Sequence, residues 1–516
     1  MFRIGVDVGG TNTDAVLMED SKVLESCKTP TTADVMSGVR NALNTVLQSS
    51  GVDRGTVDAV MIGTTHFTNA VVQRRHLAQT AAVRLGLPAT ASLVPMVDWP
   101  EDLRDLVGNH YALAHGGHEF DGRKISEIDA DELKRIAGDI AAKGIKAVAI
   151  SAVFSPVNTE MEQEAKAILE KELPEAHFSL SSDIGRVGLL ERENATIMNA
   201  CLRDLSDSTI TAFKEALSEA GLSAAFYLTQ NDGTLMSEAL ARRFPVLTFA
   251  SGSTNSMRGA AFLSGLKDAV VIDIGGTTTD VGALQKGFPR QAGVAVEIGG
   301  VRTNFRMPDV FSIGLGGGSH VLGTASDIQV GPQSVGYRLT EDALIFGGST
   351  LTASDIAIAA GMADFGDASK VSGLPTELIE ASVSRMQEML SVVVERMRLS
   401  PEPIPVIVVG GGSILVKDQI GDLPVKRPEN HAVANAVGAA IAQISGEIDR
   451  VYALTEQTRD KVLNEAKAEA IEKAVEAGAK RDTVEIVDVE DVPLAYLPGN
   501  ATRVRVKAVG DLDGLS

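Results

Sequence analysis

One eight-residue pattern occurs twice in this chain, as Asp7-Val-Gly-Gly-Thr-Asn-Thr-Asp14 and Asp273-Ile-Gly-Gly-Thr-Thr-Thr-Asp280, with six of eight positions identical. Each copy follows strand-forming residues and precedes another apolar segment, so each reads as strand, Gly-Gly turn, strand. The glycines let the backbone come close to a ligand, the Thr hydroxyls add donors, and the leading Asp can hold a Mg²⁺-bound water. Phosphates need this combination, because their charge must be met by several fixed N–H groups and a cation. A single Gly-Gly pair is as readily an ordinary hairpin turn. Two matched copies at long spacing point instead to two related halves facing each other across a cleft.

Other phosphate motifs fit poorly: no Gly-x-x-x-x-Gly-Lys-Ser/Thr occurs, and neither octad is a Gly-x-Gly-x-x-Gly that opens a helix. The expected fold is therefore α/β, actin-like (the sugar kinase, Hsp70 and actin type), with two related halves around a nucleotide cleft. The residues expected at Mg²⁺ and ATP are Asp7, Gly9, Gly10, Thr11 and Asp14 in the first octad. Asp273, Gly275, Gly276, Thr277, Thr278 and Asp280 are their counterparts in the second. A third glycine cluster, Gly410, Gly411 and Gly412, follows the apolar run 405–409, where a late glycine pair lets the backbone pass the adenosine. A fourth, including Gly316 and Gly317, either lines the same cleft or is a flexible loop.

With 516 residues, 44% of them hydrophobic, the chain can bury two or more cores. Its formal net charge of −21 repels nucleic acid and anionic membrane surfaces, so neither is expected as a partner. Cys27 and Cys201 are the two cysteines, too few and too far apart for a disulfide framework or a Cys zinc site. The N-terminus runs directly into a strand pattern, and no apolar run approaches the roughly 18 residues of a membrane helix. A soluble, cytoplasmic protein is expected. Strand patterns cover residues 2–8, 15–18, 59–62, 147–153, 269–274 and 405–409. Helical patterns cover 37–48, 131–142, 161–173, 189–220, 377–398 and 432–444. The expected units are an N-terminal half, 1–175, a second half, 176–446, and a small C-terminal α+β appendage, 447–516. The appendage reads as a charged helix over 448–477, capped by Gly478, then strands at 483–489 and 503–509.

Five segments together resemble the hydantoinase/oxoprolinase family, the large-subunit type of ATP-dependent N-methylhydantoin amidohydrolases and 5-oxoprolinase. They are 4–14, Gly63-Thr-Thr-His-Phe-Thr-Asn-Ala70, Gln230-Asn-Asp-Gly-Thr-Leu-Met236, 273–280 and Ser312-Ile-Gly-Leu-Gly-Gly-Gly-Ser319. The octads are common to the wider superfamily, and the other three are specific to the family. The resemblance implies an ATP-dependent amidohydrolase subunit that opens a hydantoin, oxoproline or lactam-like ring, an oligomeric assembly, and a second, separately encoded subunit. A shorter C-terminal region than many large subunits carry implies a compact subgroup. Where the family commonly has Ser-Gly-Pro-Ala-Gly-Gly, this chain has Ala250-Ser-Gly-Ser-Thr-Asn255, so its substrate-side chemistry is expected to differ.

Opening an amide ring requires an activated carbonyl and an activated water. Thr64, Thr65 and His66, with Asn69, follow the strand 59–62, at the end of an α/β strand that usually faces ligand. The alternative is a strand-to-helix turn satisfied by its own hydroxyls. His110, His115, His118 and Asp121 lie close together in sequence and could hold Zn²⁺ or Mn²⁺ with an open position for water. The alternative is a solvated loop, because the spacing matches no standard zinc signature. Asp34 is a further candidate ligand, with helix N-capping the alternative. Arg192 and Glu193 could point into the cleft or belong to a solvated helix face. Two rivals share the octads: a small-molecule kinase and a non-catalytic nucleotide-dependent regulator.

Overall fold

The computed structural model describes residues 1–9, 12–30, 35–293, 295–398, 402–452, 454, 458–494 and 501–513. Strands β1 (Phe2–Val8), β2 (Asn12–Glu19) and β3 (Lys22–Pro30) form an antiparallel meander, and β4 (Val57–Thr64) returns parallel to β1. β1 and β4 are buried almost end to end, as expected for strands with neighbours on both edges and cover on both faces. A separate sheet of β5 (Thr80–Leu87), β6 (His110–His115), β7 (Ala147–Ala152) and β8 (His177–Leu180) is all-parallel, in the order β6-β5-β7-β8. It has its own core around Leu85, Val148 and Ile150. β9 (Ala225–Thr229) then joins β4, and β10 (Thr234–Ser237) turns back beside β9.

The second half repeats this plan. β11 (Ala269–Ile274) and β12 (Thr279–Gln285) form the hairpin of the second octad, edged by β13 (Phe288–Pro289). A small hairpin of β14 (Val296–Ile298) and β15 (Val301–Thr303) follows, then β16 (Val310–Ile313), which pairs with β12. β17 (Ser319–Leu322) and β18 (Gln329–Ser334) make a further hairpin. β19 (Val406–Val409) lies parallel to β11. Beyond β20 (Gln419–Ile420), β21 (Leu423–Lys426) lies parallel to β19. β1 and β11 thus each carry an antiparallel partner on one side and a parallel one on the other. That shared arrangement is the actin-like fold the octads predict.

Two expectations about the C-terminal region need correction. Residues 443–452 are a strand, β22 (Gln443–Tyr452), and the helix begins only at Arg459 and runs to Glu476. The strand was hidden in the sequence because Glu447, Asp449 and Arg450 give it a charged look, yet its burial alternates with period two: Ile444, Gly446 and Ile448 face a core and Ser445, Glu447 and Asp449 face away. Nor do the last strands stand apart. β23 (Glu485–Pro493) and β24 (Thr502–Gly510) join β22 to extend the first sheet to nine strands, in the order β23-β24-β22-β10-β9-β4-β1-β2-β3. That sheet crosses both boundaries expected from sequence, near 175 and at 446. Gly478 does follow the helix with a left-handed φ of 107°. No helix among the described residues is long and apolar enough to cross a membrane.

Two helices, Ser251–Ser264 and Ala434–Ala440, lie between the sheets. Met257 and Ala260 pack on Val271, Ile407 and Val409 of the second sheet, while Ala436, Val437 and Ala440 pack on Val16 and Met18 of the first. The helices touch backbone to backbone. A Cβ on Gly259 would fall 1.8 Å from the Ala434 carbonyl oxygen, and one on Gly438 would fall 1.8 Å from that of Asn255. Gly438→Ala should therefore destabilise the protein by about 1–3 kcal/mol or more. Gly138→Ala, in the exposed interior of helix Ala130–Ala142 with open space around it, should stabilise by about 0.5–1 kcal/mol. Thermal melts of the two variants should move in opposite directions, and shifts of the same sign would contradict this packing.

Candidate nucleotide-binding cleft

Antiparallel register sets the first octad. Asp7 on β1 pairs directly with Asp14 on β2, and Asp14 pairs with Lys28 on β3. Lys28 Nζ donates to Asp14 Oδ2 at 2.7 Å. The turn closes through Gly9 N–H donating to the Asn12 carbonyl at 3.0 Å, and the second octad closes identically, Gly275 N–H to Thr278 carbonyl at 2.9 Å. Gly10 and Thr11 lie outside the described residues. Both carboxyl oxygens of Asp7 are held by asparagines from the two inter-sheet helices. Asn255 Nδ2 reaches Oδ1 at 3.3 Å and Asn435 Nδ2 reaches Oδ2 at 3.1 Å, with a second bond from Asn435 to Asp14 at 2.8 Å.

Burial, reinforced by the neighbouring Asp14, pushes the Asp7 carboxyl up to about 6. Asp273 behaves the same way. Burial raises it to about 6 against a hydrogen bond from Ser256, Asp280 adds to the rise, and the charges of Lys28 and Asp7 also reach it. The two octads meet at the start of the helix Ser251–Ser264, where Asn255 holds Asp7 of the first and Ser253 holds Asp280 of the second. A glycine makes room beside each leading Asp: a Cβ on Gly63 of β4 would lie 2.4 Å from Asp7 Oδ1, and one on Gly410, after β19, 2.4 Å from Asp273 Oδ1. Gly412 N–H donates to the Ile274 carbonyl at 2.8 Å, and Gly411 lies near Lys28, so the third glycine cluster packs on the second octad. Gly317 and Gly318 N–H groups donate to the Gly275 and Gly276 carbonyls at 3.1 and 2.7 Å. The loop bearing Gly316 and Gly317 thus braces the octad turn, and a Cβ on Gly316 would meet Thr277 N at 2.6 Å. Asp280 accepts from Ser253 and Ser312, at 2.7 and 2.5 Å.

Thr64, Thr65 and His66 stand at the carboxyl end of β4, beside the first octad. Thr64 is buried and its hydroxyl accepts from the His66 N–H at 3.1 Å, while Thr65 Oγ1 donates to the Val8 carbonyl at 3.4 Å and accepts from Asn69 at 3.3 Å. His66 is partly buried, and burial, with His76 nearby, holds its imidazole below the usual range.

The histidine-rich segment does not assemble a metal site. His110 and His115 occupy opposite ends of β6, about 16 Å apart at strand rise. His110 Nδ1 lies 2.6 Å from Lys143 Nζ, His115 Nδ1 lies 3.1 Å from Glu132, and Asp121 is taken by Arg123. Sequence closeness misled because a strand spreads what a helix or tight loop would gather. Among the described residues no three His, Cys, Asp or Glu side chains come together to hold a metal. Asp34 lies outside the described residues. Arg192 and Glu193 are neither cleft-facing nor solvated. Arg192 is buried and donates to Ser181 Oγ and the Ala152 carbonyl, and Glu193 is ion-paired with the buried Arg84.

Asn255, Asn435 and Lys28 escaped sequence reasoning, although one signal was present. Asn435 stands alone as a polar side chain in the apolar run Ala434-Asn-Ala-Val-Gly-Ala-Ala440, and a buried polar group requires a partner.

Two halves of one plan, each built on a carboxylate hairpin, define the actin-like fold class. Within that class, the chain belongs to the hydantoinase/oxoprolinase family. The model of the hydantoinase/oxoprolinase N-terminal region matches residues 3–173 and the hydantoinase/oxoprolinase model matches 192–367. Caprolactamase subunit alpha of Pseudomonas jessenii is 26% identical over 424 residues, 77% of this chain and 60% of that protein. Acetophenone carboxylase gamma subunit of Aromatoleum aromaticum is 25% identical over 395 residues, 69% of this chain and 53% of that one. The chain thus spans little more than half the length of these relatives. The crystal structure of the ATP-dependent caprolactamase from P. jessenii superposes with a TM-score of 0.79 over 99% of this chain and 88% of that one, at 18% identity. Nucleotide-free acetone carboxylase gives 0.68, covering 99% of this chain and 88% of that one at 17% identity.

A carboxyl raised on folding stabilises the folded state below its unfolded value of 3.8, and that contribution is lost as pH rises through about 6. At pH 7.5 without added cation, Asp7→Asn should therefore raise the melting temperature, and the gain should shrink as pH falls from about 6 toward 3.8. A melting temperature lowered at pH 7.5 would contradict the buried, repelled carboxylate.

Proposed function

We propose that this chain is the nucleotide-handling subunit of an ATP-dependent cyclic amide hydrolase that works with a second, separately encoded subunit. One observation carries the reading: a single helix start reaches both octads, with Asn255 donating to Asp7 of the first and Ser253 to Asp280 of the second. The cleft suits a divalent cation. Asp7 and Asp273 are each buried and crowded by a further Asp, and Asp14 Oδ1 is buried with no hydrogen-bond partner among the described residues.

In this reading Asp7 and Asp273 would hold Mg²⁺ through its water shell, and the octad backbones would hold the phosphates of ATP. When bound, Mg²⁺-ATP supplies phosphoryl activation of the amide oxygen, which turns a poor electrophile into a good one. The chain's own residues orient and move protons. Asn255 and Asn435 fix the Asp7 carboxyl so that its lone pairs point one way, and Lys28 neutralises Asp14. His66, kept neutral by burial, would accept a proton from the attacking water. The relatives' names support both the ring chemistry and the partner. One is an alpha subunit of a caprolactamase, and the other is a subunit of a carboxylase.

With its partner subunit present, ATP turnover should rise on addition of a lactam or hydantoin. Ring carbonyl labelled with ¹⁸O should deliver its label to inorganic phosphate. Asp273→Ala should lower turnover at least about 100-fold. A stable phosphorylated organic product would make the protein a kinase, and no stimulation by any cyclic amide would contradict the proposal.

A further inference from the structure

The turn Gln230-Asn231-Asp232, after β9, opens onto a cavity of about 440 Å³, a volume suited to a small molecule. Its other walls are the outward face of β22, the loop carrying Arg186, and Phe305–Arg306. Strand register determines what lies beneath. Glu447 pairs with Lys507 across β22 and β24, and Asp449 pairs with Arg505, so these four side chains share one face of the sheet.

The carboxylates on that face are already used by the strand cations. Arg503 holds Asp449 through Nε at 2.7 Å, Lys507 Nζ holds Asp232 at 2.7 Å, and Arg505 reaches Glu447 at 3.5 Å, with Asp488 and Glu490 on its outer side. Two more guanidiniums enter from above. Arg186 reaches Asp449 only at 3.6 Å, and Arg306 competes with Arg505 for Glu447 and reaches Asp449 at 3.8 Å. Both line the cavity, and both are largely buried, at 20% and 13% side-chain exposure. Arg186 Nε and Nη2 and Arg306 Nη1 are buried with no hydrogen-bond partner among the described residues.

Unfilled buried guanidinium N–H groups are costly, and a fork of them at a cavity matches the geometry of an oxyanion. We propose that this cavity is a second ligand site, separate from the octad cleft, which binds a small molecule through a carboxylate or phosphate held by Arg186 and Arg306. Crowding agrees with the geometry: burial, then the neighbouring arginines Arg505 and Arg186, hold Arg306 well below the usual guanidinium range, and an anion would relieve that repulsion. Arg192 is the positioning residue, since its Nη1 donates to the Arg186 carbonyl at 3.0 Å and so fixes the loop. The claim concerns binding alone and does not depend on the activity proposed above.

The test is calorimetric titration of the full chain, without nucleotide, with two probes: glutarate as the carboxylate and inorganic phosphate. At least one should bind, and the stronger identifies the chemistry. Arg186→Gln and Arg306→Gln should each weaken that probe about tenfold or more, while Glu447→Gln, which frees Arg306, should tighten it. Because a variant could fail to fold, the wild-type protein should also be treated with phenylglyoxal. The bound probe should protect Arg186 and Arg306 in the mass-spectrometric map and leave exposed arginines such as Arg123 unprotected. Absence of binding by both probes, equal affinity in the arginine variants, or modification of Arg186 and Arg306 unaffected by the probe would each overturn the proposal.

Discussion

The buried Asp7 carboxyl is the point at which the two halves meet. It belongs to the first hairpin, yet its ligands come from two helices that follow it by hundreds of residues, Asn255 at one oxygen and Asn435 at the other. Those helices pack against each other through glycines at backbone distance, and each packs on a different sheet. The cost of placing a carboxylate in this buried setting is offset only in part by hydrogen bonds from Asn255 and Asn435, so the carboxyl stays raised, to about 6. Charge at the centre of the cleft and the seating of the two sheets are therefore one problem with one solution.

Much of this was legible in the sequence, because local chemistry wrote it there. The octads need strand, Gly-Gly and strand in sequence order, so their hairpins could be read directly. The structure packs the late glycine cluster on the second octad and gives Gly63 and Gly410 a like part: each leaves room for a carboxylate. What could not be read lies at long range. Lys28 matters only once β3 is in register with β2. Asn255 and Asn435 gain meaning only when their helices cross, and a solitary Asn in an apolar helix was the available hint. Period two in a charged segment was mistaken for a helix at β22. The histidines were grouped by number along the chain, although the extended strand β6 holds His110 and His115 at its opposite ends.

The C-terminal strands change how the molecule reads as a whole. Rather than hanging beside the two halves, β22, β23 and β24 widen the first sheet, and the outward face of β22 supplies one wall of the arginine-lined cavity. The segment Gln230-Asn231-Asp232 links that cavity to the cleft. Asn231 Oδ1 accepts from the Ala250 N–H at 2.8 Å, and the Asn231 carbonyl accepts from Thr254 at 2.9 Å, one residue before the Asn255 that holds Asp7. One helix start thus touches both the turn that lines the cavity and the carboxylate of the first octad.

The most direct measurement is the stoichiometry of nucleotide binding, by equilibrium dialysis of a labelled non-hydrolysable ATP analogue with Mg²⁺. If the twin octads form one cleft, each chain binds a single analogue, and Asp7→Ala and Asp273→Ala each abolish the Mg²⁺-dependent binding. Two analogues per chain, with each variant losing one and keeping the other, would contradict a shared cleft.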